Sequence, residues 1–266
     1  MSNEILKINN VSKNFVQKNI HEVLDGINIT VNDGEFVCIL GPSGCGKTVL
    51  LHLVAGFLKP TAGQIIFDGK TVCKPSTDRI LIFQDYILFP WLTVYGNIIF
   101  GLEKSGLLRQ EKEMLADKYM EMVGLTKFKD WYIHNLSGGM KQRVAIARAL
   151  ISNPKILLMD EPFAALDSQN RKYMRKCLEG IWQKTKKTVL FVTHSVNEAI
   201  ELADTIYLFS SPPVKIKKIY RPDLPRPRDP HSREFVELST IIEKEITEEF
   251  QKTIDPNPTD VSLLKQ

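Results

Sequence analysis

Eight consecutive residues, Gly41-Pro42-Ser43-Gly44-Cys45-Gly46-Lys47-Thr48, have the types needed to hold a polyphosphate. The pattern G-x-x-x-x-G-K-[ST] follows an apolar, β-branched run, Phe36 to Leu40, and opens an apolar helical stretch, Val49 to Leu58. Glycines there let backbone N–H groups converge on phosphate oxygens at a helix N-terminus. Lys47 adds a point charge at the β and γ phosphates, and the Thr48 hydroxyl can ligate Mg²⁺. A second string, Ile156-Leu157-Leu158-Met159-Asp160-Glu161, puts two carboxylates at the end of a buried strand, where a charged pair is costly without a cation or proton to take up. Asp160 suits a Mg²⁺ shell, and Glu161 suits a base that orients and deprotonates an attacking water. A second Ser/Gly turn, Leu136-Ser137-Gly138-Gly139-Met140-Lys141-Gln142-Arg143, opens another helix. The same dipole argument makes it a second anion site, although Ser137 by itself reads as a simple helix N-cap.

These groups need a scaffold that brings distant segments together. Four apolar runs, Phe36 to Leu40, Ile80 to Phe83, Ile156 to Met159 and Val189 to Val192, have the length and composition of buried parallel strands. They are followed by the glycine loop, by Gln84, by Asp160-Glu161 and by Thr193-His194. Polar chemistry thus recurs at strand carboxyl ends, where open α/β sheets bind ligands. Glu22 to Val31 and Gly63 to Phe67 alternate and end in turn signals, which predicts antiparallel strands beside the parallel sheet. Between Asp85 and Asn153 the pattern is helical, with Gln110 to Val123 amphipathic and Met140 to Ile151 rich in helix formers, so a helical insertion interrupts the α/β core.

From Pro212 to Pro230 the chain holds six of its fourteen prolines together with Lys215, Lys217, Lys218, Arg221, Arg226 and Arg228, which predicts a linker or a surface-draped segment. Phe235, Leu238, Ile242, Ile246 and Phe250 then recur at helical spacing among Glu237, Glu243, Glu245, Glu248 and Glu249. An acidic amphipathic helix is expected there, with the basic stretch as its electrostatic partner.

With 266 residues, 43% hydrophobic and 25% charged, the composition is that of a globular chain of one or two domains and excludes disorder throughout. A formal charge of +4 is too slight to argue for nucleic acid or an acidic membrane. Val49 to Leu58, interrupted by His52, is about half of the roughly 20 residues needed to cross a bilayer. The Met1-Ser2-Asn3-Glu4 start lacks a secretory pattern, so the cytosol is the expected compartment. Cys38, Cys45, Cys73 and Cys177 show no metal-ligand spacing and read as buried or reduced thiols.

The loop of Walker type, LSGGMKQR, ILLMDEP, Ala164-Ala165-Leu166-Asp167 and Val192-Thr193-His194-Ser195, in this order, resemble the ATPase subunit of an ATP-binding cassette (ABC) transporter from about Leu6 to Phe209. The resemblance implies an α/β fold: a P-loop NTPase (RecA-like) core with an antiparallel β subdomain and an inserted α-helical subdomain. The expected division is 1–84 with 154–211 for the core and antiparallel subdomain, 85–153 for the helical subdomain, and 212–266 for a C-terminal extension. It further implies that Gln84 touches Mg²⁺ and the attacking water, that His194 is a switch on the γ-phosphate, and that Asp167 communicates across a dimer. Phe15 matches the aromatic that stacks on adenine. Val49 departs from the usual hydroxyl residue, but only its backbone N–H is needed at that place.

By the same resemblance the active unit is a dimer with a second ABC ATPase subunit, expected as a homodimer. In it, Ser137 and Gly139 of one cassette reach the γ-phosphate held by Lys47 of the other; Gly138 and Gln142 belong to the same string. Thr77-Asp78-Arg79, Phe83 to Tyr86, Leu88 to Val94, Asn97 and Leu224-Pro225-Arg226-Pro227-Arg228-Asp229 are similar to the nitrate, sulfonate and taurine importer ATPases. That similarity implies ATP and Mg²⁺ as cofactors, a transmembrane permease meeting the Phe89-Pro90-Trp91 patch, and an extracytoplasmic solute-binding protein. The place implied is peripheral, on the cytoplasmic side of the membrane, with no nucleic acid expected. The alternative is a soluble cassette ATPase acting as a nucleic-acid clamp; such proteins usually carry two cassettes or a long coiled-coil insertion, and this chain has neither.

Overall fold

Strands buried on both faces have no reason to alternate, and the central runs of this chain do not. The computed structural model describes residues 3–16 and 20–254. In chain order the strands are β1 (Glu4–Val16), β2 (Ile20–Asn32), β3 (Phe36–Leu40), β4 (Ala62–Phe67), β5 (Lys70–Thr71), β6 (Arg79–Ile82), β7 (Ile156–Asp160), β8 (Thr188–Thr193), β9 (Thr205–Phe209) and β10 (Ile216–Tyr220). The helices are α1 (Lys47–Ala55), α2 (Val94–Phe100), α3 (Arg109–Met122), α4 (Gly138–Ile151), α5 (Ser168–Thr185), α6 (Val196–Leu202) and α7 (Arg233–Ile254).

One sheet has the order β10-β9-β3-β8-β7-β6 and is parallel except for β10; the other, β2-β1-β4-β5, is antiparallel. Every residue of β3, β7, β8 and β9 is buried. Successive residues feed opposite cores, as the pleat requires. Phe36, Cys38 and Leu40 join Leu157, Met159, Val189 and Phe191 against α4, α5 and α6, while Val37 and Ile39 join Ile156, Leu158, Leu190 and Val192 against α1 and the antiparallel sheet. Phe36 packs on Trp182 and Phe191 with centroids 5.8 and 5.7 Å apart, anchoring α5 to the sheet.

The α/β class, the four parallel runs and the antiparallel strands over 20–32 and 62–67 agree with expectation. The structure adds β9 and β10 and the long β1, whose many register shifts against β2 break the clean alternation a sequence reading depends on. The Pro/basic segment is not simply draped. Ile216–Tyr220 pairs antiparallel with β9 as the sheet's edge strand, where Lys217 and Lys218 are suited to blocking further pairing.

The expected electrostatic partnership with the acidic helix is present: Lys217 lies 3.2 Å from both Glu248 and Glu249, and Lys218 2.9 Å from Glu245. Phe235 and Ile242 seat α7 in the core beside α6. Further on, Arg226 sits 4.6 Å over the Trp182 ring and donates to Asp204 and the Leu202 carbonyl, each at 2.8 Å. Arg228 is buried and spends its donors on main chain: Ile200 and Ala203 carbonyls at 2.6 Å, Pro222 at 2.9 Å and Leu224 at 3.3 Å. Burial lowers its pKa to about 10. It therefore caps the C-terminal end of α6, where carbonyls are left over and a cation is favourable.

Arg228→Met should cost about 3 kcal/mol, because it strands buried carbonyls that had a charged donor. Arg228→Lys should recover only part of this, since one ammonium lacks the planar fork that reaches two segments. Urea unfolding checks both; an unchanged midpoint would show that the segment does not hold α6.

Candidate functional site

Strand order decides which polar groups meet. β8 lies between β3 and β7, with Leu40 opposite Thr193 and Val192 opposite Asp160, so the residues leaving all three strands emerge at one level. The glycine loop leaves β3 and enters α1. Gly44 and Gly46 have φ of 78° and 95°, which L side chains avoid, and a Cβ on Gly46 would stand 2.7 Å from Val23 Cγ1. Gly41 is wedged between Phe209 and Cys45, whose buried thiol is pushed up in pKa by desolvation. Pro42 is buried, Ser43 and Gly44 are exposed, and the Val49 side chain packs on the core below.

Lys47 is only 4% exposed. Its ammonium donates to the Gly41 and Pro42 carbonyls at 3.0 and 2.8 Å and lies 3.5 Å from Glu161. The Thr48 hydroxyl donates to Asp160 Oδ1 at 3.0 Å. Burial raises the Asp160 pKa, partly offset by that hydrogen bond. A buried carboxylate beside a hydroxyl is a fitting pair of hard oxygen ligands for Mg²⁺, which typically takes one or two protein oxygens and completes its shell with phosphate and water. Among the described residues no group of three or more His, Cys, Asp and Glu is placed to hold a metal ion.

Glu161 has φ 42°, in the left-handed region, at a cost of about 1 kcal/mol for a residue with a Cβ. Its N–H donates to the Val192 carbonyl at 3.0 Å, tying the turn to β8. The turned backbone sets its carboxylate 2.8 Å from His194 Nδ1. The His194 hydrogen bond, with Lys47 assisting, holds the Glu161 carboxyl below the usual range, and Glu161 holds His194 above the ordinary imidazole value.

The remaining candidates are spread around this centre. Gln84 is exposed two residues past β6, the strand beside β7. Phe15 is 36% exposed on β1, with Lys13 5.0 Å from its ring. Ser137 is the N-cap of α4, accepting from Met140 N–H, with Gly138 and Gly139 in the first turn; Gly138 lies against Leu166 and Tyr86. Gln142 is fully buried and both atoms of its amide lack a hydrogen-bond partner. Asp167 caps α5 by accepting from the Asn170 N–H at 2.9 Å. No hydrogen bond or ion pair joins these groups to Lys47. Elsewhere, the Phe89 ring packs at a tilt against Trp91 and Phe100, and Trp91 is 70% exposed. Ile80, Tyr86, Ile87, Phe100 and Arg148 line an adjoining cavity of about 250 Å³.

A glycine loop that delivers a lysine and a hydroxyl to carboxylates at neighbouring strand ends defines the phosphate-loop class of nucleotide-hydrolysing proteins. Residues 24–164 match the family model described as ABC transporter. An uncharacterized ABC transporter ATP-binding protein of Methanocaldococcus jannaschii is 49% identical over 94% of both chains. The nitrate import ATP-binding protein of Synechocystis sp. is 47% identical over 83% of both, and the aliphatic sulfonates import ATP-binding protein of Bacillus cereus 42% identical over 92% of this chain and 96% of its own. A dimeric ATP-binding cassette in a post-hydrolysis state with ADP and phosphate superposes with TM-score 0.70 at 31% identity, covering 82% of this chain and 99% of that one. CbiO1 from Clostridium perfringens, part of the CbiONQ ABC transporter complex, superposes at 0.75 with 26% identity over 96% of both. The chain belongs to the ABC transporter family of ATP-binding subunits, and it is an ATPase coupled to transport.

The Glu161–His194 pair has a signed pH dependence. The raised His194 pKa contributes stability below about 6.5 that is lost as pH climbs through the folded value. The lowered Glu161 pKa contributes above about 4.5 and is lost as pH falls through its own folded value. The pair is thus doubly charged between those two folded values. An NMR titration of the full chain should place His194 above 6.5, and Glu161→Gln should bring it down; a midpoint unmoved by that substitution would break the assignment.

Proposed function

We propose that this ATPase drives an importer for small solutes of the nitrate, sulfonate and taurine class, through a separate membrane permease. The observation that carries the chemistry is the convergence of Lys47, Thr48, Asp160, Glu161 and His194 from three segments onto one end of the sheet. Lys47 and the backbone N–H groups of residues 43–49 hold the β and γ phosphates of ATP, and Phe15 stacks on adenine. Thr48, Asp160 and Gln84 are the groups suited to Mg²⁺, which when bound neutralises phosphate charge. Glu161, ionised through its neighbours, orients the attacking water and accepts its proton, while His194 bridges Glu161 to the γ-phosphate.

The chain has one phosphate loop and one Ser137-Gly138-Gly139 turn, and no hydrogen bond joins Lys47 to Ser137 within the subunit. A homodimer joins them: the turn of one copy, backed by Gln142 and flanked by Asp167, faces the nucleotide held by the other. The dimeric cassette that this fold resembles supports this arrangement. Residues 1–84 and 154–211 are the nucleotide-binding core, 85–153 the lobe carrying the turn, and 212–266 the extension.

The exposed Phe89-Trp91 surface and its cavity receive the permease, and an extracytoplasmic protein selects the solute. Among the described residues no helix is long and apolar enough to cross a membrane, which suits a peripheral subunit on the cytoplasmic side. The similarity to import subunits favours this over a nucleic-acid clamp, which nothing in the fold supports.

Glu161→Gln should leave ATP binding intact, lower hydrolysis by about a hundredfold or more and trap an ATP-bound dimer; turnover at an unchanged rate would remove Glu161 from the mechanism. Exchanging Phe89 and Trp91 for serine should release the chain from a copurifying membrane permease without changing basal ATP hydrolysis. Retention of that permease by the variant would move the docking surface elsewhere.

A further inference from the structure

His194 stands between the end of β8 and the start of α6, and one hydroxyl holds the backbone on both of its sides. Thr193 Oγ1 accepts from the Ser195 N–H at 3.0 Å and donates its proton to Glu198 Oε2 at 2.6 Å. Ser195-Val196-Asn197-Glu198 has the spacing of a capping box, in which the glutamate turns back to the N–H of the capping residue. Here that N–H goes to Thr193 instead, and Ser195 Oγ merely accepts from Glu198 N–H at 3.4 Å. The Glu198 carboxylate, 4% exposed, is diverted from its ordinary task.

Its second oxygen faces α5. Glu198 Oε1 lies 3.9 Å from Arg171 Nε, a buried donor with no hydrogen-bond partner. The other end of the same guanidinium donates to the Leu166 carbonyl at 3.1 Å and the Ala164 carbonyl at 3.5 Å, on the loop between Glu161 and Asp167. The contacts close on themselves: Glu161 begins the loop, Arg171 holds it, Glu198 links Arg171 to Thr193, and Thr193 sets His194, which returns to Glu161 at 2.8 Å. The 3.9 Å junction is the one loose joint in the ring, and a shift of about 1 Å would turn it into a charge-assisted hydrogen bond.

We propose that Glu198 is a positioning residue that ties the setting of His194 to the position of the loop from Glu161 to Asp167, acting through Thr193 on one side and Arg171 on the other. This rests on the roles proposed above for Glu161 and His194. Displacement of the loop, which carries Asp167 at its far end, moves Arg171 relative to Glu198 and thereby the backbone that presents His194. Because no hydrogen bond or ion pair joins Thr193, Arg171 or Glu198 to Lys47, the effect falls on turnover and not on nucleotide affinity.

The test is steady-state ATP hydrolysis by the full chain, with thermal unfolding followed in parallel. Thr193→Val keeps shape but loses the hydroxyl, and Glu198→Gln keeps an acceptor but loses the charge facing Arg171. Each should lower kcat about tenfold with KM for ATP within about twofold of the original. Thr193→Ser should restore the rate, and Glu198→Gln combined with Arg171→Met should be no slower than the slower single variant, since both break one junction. Normal kcat in Thr193→Val and Glu198→Gln, beside an inactive Glu161→Gln, would overturn this inference alone. Losses that multiply in the double variant, or changes confined to KM, would also overturn it. Unimpaired Glu161→Gln would instead overturn the underlying assignment of the base.

Discussion

A buried ammonium governs this structure. Lys47 is almost wholly removed from water, and an isolated charge in that position would be prohibitively costly. It is held by two carbonyls of its own loop and by Glu161, which arrives from a strand more than a hundred residues away. The carbonyls need the tight turn that Gly44 and Gly46 allow; the carboxylate needs β7 to end at the same level as β3, with β8 between them. Each requirement constrains backbone far from Lys47. The strained φ of Glu161 is the local consequence: the chain accepts an unfavourable conformation where the site requires it, and the N–H bond to Val192 keeps it there.

The same demand for neutralised charge extends outward. Asp160 accepts from the Thr48 hydroxyl, Glu161 pairs with His194, and Glu198 lies between the Thr193 hydroxyl and Arg171. At the opposite end of α6, Arg228 and Arg226 occupy the carbonyls that helix leaves unpaired. The helix that begins immediately after His194 is therefore fixed at both ends, by the core at its start and by the C-terminal extension at its finish. α7 braces the arrangement through Phe235 and Ile242, and its glutamates anchor the edge strand β10.

Much of this was legible in the chain. The glycine loop, the Asp160-Glu161 pair and the unalternating strand runs are contiguous patterns whose chemistry follows from residue type and spacing, and the structure sets them in contact. The acidic helix and its basic partner were also visible as complementary charge. Other features had no linear signal. Arg226 and Arg228 read as surface charge in a proline-rich stretch because nothing local shows that Trp182 and the end of α6 await them. Nothing in the chain singled out Glu198, and its diversion from the cap became visible only with Thr193 beside it. β1 was obscured because its bulges break the two-residue period, and β10 because lysines dominate an edge strand.

The sequence by itself determined which residues are able to bind phosphate, take up a proton and ligate a hard cation, since those capacities belong to side chains and to short backbone motifs. It also determined the class of fold, since strand length and burial pattern are local properties. Tertiary structure alone decided which of those residues work together. Strand order placed β8 between the two halves of the site, so His194 meets Glu161, while no hydrogen bond or ion pair joins Gln84 or the Ser137 turn to Lys47. The reason is physical: hydrogen bonds and charge pairing act over a few ångströms, whereas the partners lie tens to hundreds of residues apart, and only the packing of the sheet converts one distance into the other.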